Sequence, residues 1–180
     1  MKAIHLLPLI LFAAVTCSAN ELIISYAPSA TVKADADEYE VNGNRYSKLS
    51  LDSNAAKGLR WVPFSKPYYV DITLLDPDGS SQIESVHDYK SISAGVSFVQ
   101  EYTIDDDLNA YLGCTAGVGA AEFGIEKNKI RSMAEASFKG GLIFRNNITL
   151  GPEVKFQFVG SPGETVARVL LFNLNAGIRF

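Results

Sequence analysis

The chain is 180 residues long, with 47% hydrophobic and 20% charged residues, 14 Gly and 2 Cys, a length that fits one domain. Sixteen Lys and Arg against twenty Asp and Glu give a net charge of −4, so there is no basic excess to neutralise a phosphate backbone, and nucleic-acid binding is disfavoured. The apolar content excludes wholesale disorder, and a mean hydropathy of +0.08 falls well short of a bundle of membrane-spanning helices.

Residues 1–19 read as a signal peptide. Lys2 supplies a short positive region, Ile4 to Val15 is almost wholly apolar, and Cys17-Ser18-Ala19 puts small residues before a cleavage point that leaves Asn20 at the mature terminus. The apolar run is shorter than the roughly 20 residues of a membrane span, and Thr16 stands where a lipidation motif wants Gly or Ala. Cleavage leaves residues 20–180 as the folded domain, with fifteen basic against twenty acidic residues, a net −5, and one cysteine, Cys114. No intrachain disulfide can form.

After the leader the recurring signal is alternation, the period of a strand with two unlike faces. Leu22 to Tyr26 is a candidate first strand. The polar stretch Ala34 to Asn54 holds a hairpin core, Tyr39 to Tyr46, on an Asn42-Gly43 turn; read as part of a loop, it adds nothing to the strand count. Gly58 to Val62 precedes a Phe64-Ser65-Lys66-Pro67 turn, and Tyr69 to Leu74 ends at Asp76-Pro77-Asp78-Gly79. From Tyr89 to Tyr102, Ile92, Ala94, Val96 and Phe98 alternate with Ser91, Ser93, Gly95 and Ser97, with Val99 an exception. Ile104-Asp105-Asp106-Asp107 turns the chain into Leu108 to Ala120, with apolar residues on even positions and Asn109, Tyr111, Gly113, Thr115 and Gly117 on odd ones. The segments Ala134 to Phe144, Ile148 to Phe158 and Leu170 to Phe180 repeat the pattern, broken at Asn146-Asn147 and at Ser161-Pro162-Gly163. The count is eight strands.

Eight alternating strands close either into a soluble lipocalin-like barrel with its apolar face inside or into a membrane barrel with that face outside. Three features favour the membrane. The later strands reach the 9–11 or so residues that cross a bilayer at a tilt. The polar face is rich in Gly, Ser, Thr and Asn, with charges of both signs, which suits the filled interior of a small barrel. Short turns alternate with longer polar loops. The fold expected is all-β, an eight-stranded antiparallel up-and-down transmembrane β-barrel. Arg60, Glu135, Lys139, Glu153, Lys155 and Arg179 are expected inside it as an ion-pair network that closes the lumen to wide conduction.

The end Leu170-Leu171-Phe172-Asn173-Leu174-Asn175-Ala176-Gly177-Ile178-Arg179-Phe180 resembles the C-terminal signature of bacterial outer-membrane proteins that the barrel-assembly machinery reads, with Phe172, Ile178 and Phe180 as its apolar positions. In size and layout the chain is similar to the small barrels of the OmpA transmembrane domain, OmpX, Ail and opacity-protein group. The resemblance implies a Gram-negative outer-membrane location, contact with outer-membrane lipid and lipopolysaccharide, a monomer, and a structural or adhesion-like role carried by the loops.

Catalytic chemistry is sparse. A lipid A-modifying enzyme of this size needs a His base beside a Ser. After the leader the single histidine is His87, followed by Asp88 and Ser91, and no Gly-x-Ser-x-Gly elbow occurs. The reading is therefore of a non-enzyme without cofactor or resident metal, with a lipid A-modifying enzyme and a soluble periplasmic binding barrel as the alternatives. Asp35, Asp37, Glu38 and Glu40, with Asp76 and Asp78, read as solvated loop acids, since the later ligands of an EF-hand are missing. Cys114 falls on the apolar parity as a small lipid-facing hydrophobe. Asn147-Ile148-Thr149 matches a glycosylation sequon without meaning in a bacterial strand.

Overall fold

The computed structural model describes residues 20–41, 44–53, 56–63, 67–75, 89–123, 130–161 and 164–180. These form strands β1 (Asn20–Val41), β2 (Asn44–Ser53), β3 (Ala56–Pro63), β4 (Tyr68–Leu75), β5 (Tyr89–Thr103), β6 (Leu108–Phe123), β7 (Ile130–Phe144), β8 (Ile148–Ser161) and β9 (Glu164–Arg179). Every pairing is antiparallel, each strand from β3 onward pairs with the next, and β9 returns to β1 over Glu21↔Arg179 to Ala34↔Ala167. Closure abolishes the exposed edges that an open sheet would present. The seam is tied at its very end, where Asn20 N–H donates to the Phe180 carbonyl (2.6 Å) and Phe180 N–H donates to the Asn20 carbonyl (2.9 Å).

Nine segments make eight barrel strands. β2 and β3 both pair with β1 in a single register, since Ala30↔Ser53 and Ala27↔Ala56 lie on the same antiparallel count. They are therefore two halves of one barrel strand. The hairpin at Asn42-Gly43 is consequently not a detached loop: β1 runs unbroken from the seam to Val41↔Asn44, and the first strand is far longer than Leu22 to Tyr26. Alternation misses this length because the segment is polar on both faces and shifts register between Asp35 and Tyr39.

Inside and outside divide as in a membrane barrel. Ile24, Ile92, Phe98, Leu112, Val118, Phe138, Phe172, Leu174 and Ile178 are exposed, whereas Ser25, Ser91, Ser93, Ser97, Thr115, Ser137, Asn173 and Asn175 are buried. A soluble barrel would reverse these faces. Roughly twelve residues of outward-facing strand, at about 3.3 Å each and tilted by about 40°, rise about 30 Å, the thickness of a bilayer's hydrocarbon core. Cys114 is half-buried on the outward parity of β6.

The two ends differ. Both β1 and β9 meet at the end that carries the tight turns. One of these is Ile104–Asp107, closed by Ile104 N–H donating to the Leu108 carbonyl (2.9 Å) and by an Asp105 side-chain cap on Asp107 N–H (2.9 Å). The other sits one residue earlier than Asn146-Asn147. Arg145 and Asn146 take the left-handed conformation, at φ 48 and 58, and Asn147 N–H donates to the Phe144 carbonyl at 2.9 Å. Arg145, on the inward parity of β7 by counting, is thereby carried out of the barrel and pairs with exposed Asp107 at 3.8 Å. The Phe64–Lys66 part of the first short turn, the Asp76–Gly79 loop and the Pro162-Gly163 break lie outside the described residues.

Candidate functional site in the barrel lumen

The inward positions of the strands stack three layers. Nearest the loop end the lining is apolar: Val32, Leu75, Met133, Val159, Val169 and Leu171, with alanines from β1, β3, β6 and β9, are all buried. Its outward neighbours are mixed, Leu74 and Phe158 beside Lys57, Lys90 and Arg168, so polarity does not mark the inner face here as it does further along the strands.

The middle layer is ionic. Arg60 on β3 is fully buried; its Nε donates to Asp71 Oδ2 (2.7 Å) on β4 and its Nη1 to Glu153 Oε1 (2.8 Å) on β8 across the lumen. Lys155, two residues along β8 and so on the same face, donates from Nζ to Asp71 Oδ1 (2.8 Å). Thr73 Oγ1 supplies the same Asp71 oxygen with a further donor (3.0 Å), and Asn175 Nδ2 donates to Glu153 Oε2 (3.0 Å). The Arg60 guanidinium lies 5.2 Å from the centre of the Tyr69 ring, within cation–π range. Tyr69 crosses the lumen above Gly117, where a Cβ would collide with its hydroxyl, and donates to Glu135 Oε1 (2.6 Å) on β7. Ser93 (2.7 Å) and Gln157 (3.0 Å) complete that carboxylate's shell, and Tyr89 in turn donates to Gln157 Oε1 (2.7 Å). Among the described residues no cation lies within ion-pair distance of Glu135; neutral donors hold it.

The third layer sits at the turn end. Arg179 Nη2 pairs with Glu101 (2.8 Å) and its Nε approaches Glu21 (3.7 Å), while Thr149 Oγ1 donates to Glu21 (2.7 Å). Lys139 is buried beside them, makes neither hydrogen bond nor ion pair among the described residues, and faces a cavity lined also by Glu21, Tyr111, Thr149, Asn175 and Arg179.

The structure thus places all six expected lumen charges on the inner face. It brings Arg60, Glu153 and Lys155 together, sets Glu135 in a neutral shell beside them, and leaves Lys139 and Arg179 a layer away. Two charges escaped the sequence reading, Asp71 and Glu21. Asp71 is the hub of the middle layer, and its signal was its parity with Thr73 in Tyr69 to Leu74. With them the buried charges among the described residues balance: Glu21, Asp71, Glu135 and Glu153 against Arg60, Lys139, Lys155 and Arg179. Phe172, Ile178 and Phe180 all project outward and are exposed. Among the described residues no group of three or more His, Cys, Asp or Glu side chains is placed to hold a metal ion. His87, Asp76 and Asp78 lie outside the described residues.

No protein-family model and no curated protein matches the chain. Among solved structures it is similar to Neisserial surface protein A, with TM-score 0.54 at 11% identity, covering 91% of this chain and 99% of that one. The N-terminal β-barrel domain of OprF from Pseudomonas aeruginosa matches at TM-score 0.41 and 15% identity, over 91% of this chain and 98% of that one. Ail of Yersinia pestis matches at TM-score 0.38 and 19% identity, over 92% and 100%. The first likeness is one of fold: this chain has the architecture of the small eight-stranded outer-membrane barrels.

Proposed function

We propose that this protein is a small integral barrel of a Gram-negative outer membrane, with a structural or surface-interaction role carried by its loops and no wide pore. The observation that carries the reading is the inversion of faces around a filled lumen: lipid-compatible side chains outside, a charge-balanced network and an apolar layer inside. Among the described residues, side chains bonded across the lumen cross-link the strands from within, which supports a closed interior over a wide pore. Residues 1–19 are assigned as an export signal on their short positive region, apolar run and small residues before Asn20. The outward Phe172, Ile178 and Phe180 support recognition of the last strand by the barrel-assembly machinery. Outer-membrane lipid and lipopolysaccharide are the partners this surface suits, and a monomer satisfies the closed sheet.

Sucrose-gradient fractionation with an SDS gel of boiled and unboiled samples tests location and fold together. Recovery in the outer-membrane fraction with a heat-dependent mobility shift is expected; a freely soluble, unshifted band refutes the proposal. Planar-bilayer recording tests the closed lumen, and a large, stable single-channel conductance contradicts it. A lipid A-modifying activity would need His87, so loss of a lipid A acyl change in a His87→Ala strain would replace the non-enzymatic reading.

A further inference from the structure

The cavity in the turn-end layer measures about 10 Å³, room for one water-sized body. Between two of its lining residues, Tyr111 on β6 and Asn175 on β9, the intervening strands place Gly141 opposite Tyr111 and Gly151 opposite Asn175, so neither strand sends a side chain inward there. Lys139 and Tyr111 line the cavity, both buried, and neither the ammonium nor the hydroxyl has a hydrogen-bond partner among the described residues. Lys139 stands across the β6 and β7 ladder from Gly113, two residues from Tyr111, a diagonal of about 7–8 Å that two long side chains can close. The acids beside Lys139 are already engaged. Glu153, its ladder partner, is held by Arg60, Asn173 and Asn175, while Glu21 accepts from Thr149 and lies 3.7 Å from Arg179. Asn175 Oδ1, an acceptor without a partner, is sealed in the wall. The groups left to hold an occupant are therefore the two donors, with the Glu21 carboxylate opposing them from the same wall.

We infer that this cavity is a site for a single monatomic anion of chloride size, held between the Lys139 ammonium and the Tyr111 hydroxyl. The ion enters from the turn side past Val99, which lines the cavity and is 40% exposed. A water molecule satisfies the two donors but leaves the buried ammonium without a contact of opposite charge, and a halide supplies both. Cations are repelled by Lys139 and Arg179 on the wall, and sulfate, phosphate and carboxylates exceed the space. Glu21 weakens the site and keeps the ion exchangeable. Occupancy therefore ties the packing of the turn-end lumen to the halide concentration of the compartment beyond the short turns. The site belongs to the closed barrel itself and is independent of the loop-carried role proposed above.

The purified mature chain, folded in nonionic detergent and isotope-labelled at lysine Nζ for magnetic resonance, is titrated with sodium chloride against sodium gluconate at constant ionic strength. The Lys139 resonance, identified by its loss in Lys139→Gln, should shift to saturation, whereas that of the exposed Lys57 should show no saturable shift. Bromide should reproduce the effect and sulfate should not. Tyr111→Phe removes one hydrogen bond to the ion and should weaken chloride about tenfold. Glu21→Gln removes the opposing charge and should tighten it. A Lys139 resonance indifferent to chloride, an equal response to sulfate, or an unchanged affinity in Tyr111→Phe would each overturn the assignment. If Tyr111→Phe does not reach the fast-migrating form on an unboiled gel, Glu21→Gln decides, and chloride binding no tighter than the parent's refutes the site.

Discussion

Removing Arg60 is the sharpest perturbation the lumen offers. In Arg60→Met the aliphatic volume is nearly kept while one guanidinium is lost from between two carboxylates. Asp71 retains Lys155 at 2.8 Å and Thr73 at 3.0 Å. Glu153 retains neutral donors, among them Asn175 at 3.0 Å and Asn173 at 3.3 Å, and becomes a buried charge without a bonded cation. Breaking a buried pair from one side costs about 3–5 kcal/mol, a factor of some hundreds to thousands in the unfolding equilibrium. Adding Glu153→Gln removes the stranded charge, so Arg60→Met/Glu153→Gln should return to within about 2 kcal/mol of the parent, because replacing a whole buried pair is close to neutral. Urea unfolding in lipid vesicles, followed through the fluorescence of Trp61, the chain's one tryptophan, measures all three variants. A loss below about 1 kcal/mol for Arg60→Met, or a double variant that loses the sum of the two single losses, would show that water screens the lumen and that these charges are not coupled.

Three further outcomes follow from the same geometry. Lys139→Met should change stability by no more than about 1 kcal/mol in the same assay, since no bonded partner is stranded; a loss as large as that of Arg60→Met would reveal a hidden counter-ion. Phe138→Lys, at an outward position 68% exposed in mid-strand, should cost about 2–4 kcal/mol in bilayers, and an unchanged midpoint would mean that this face does not meet hydrocarbon. Gly117→Leu drives a side chain into the Tyr69 hydroxyl and the Ala94 carbonyl, so it should cost about 1–3 kcal/mol; a fast-migrating yield equal to the parent's after refolding would remove Tyr69 from its place across the lumen.

Much of this fold can be read from alternation because lipid and lumen impose opposite demands on successive residues. Ile92 against Ser93, or Phe156 against Lys155, identifies both the strand and its faces in two letters. The same rule locates Arg60, Glu153 and Lys155 on one side, but parity alone cannot show that the three converge on Asp71, because their contacts depend on strand order and stagger around a closed sheet. Asp71 shares its parity with Tyr69 and Thr73, but a six-residue alternation next to an acidic loop does not by itself separate a lumen acid from a solvated one. The inner Val159, Val169 and Leu171 layer escapes a rule that sends polar residues inward, since here the apolar side chains face the lumen while Arg168 stands on the outer face. The hairpin on Asn42-Gly43 was recognisable from its turn chemistry, but its attachment to the barrel depends on one register held across residues 54–55, a long-range property.

The seam between β1 and β9 has a consequence for how the molecule comes into being. Glu21 and Arg179 are partners in the ladder although roughly 150 residues or more separate them in sequence, so β1 gains its second neighbour only when β9 is in place. Until then the nascent sheet has two open edges, one along β1 and one along β8, each a template for any passing strand. High sequence separation makes such a closure slow. A chain without β9 would keep its turns, part of its lumen network and its lipid-facing belt, yet remain an open ribbon, adhesive at both margins. Strand β9 is the latch that turns a sheet into a sealed object.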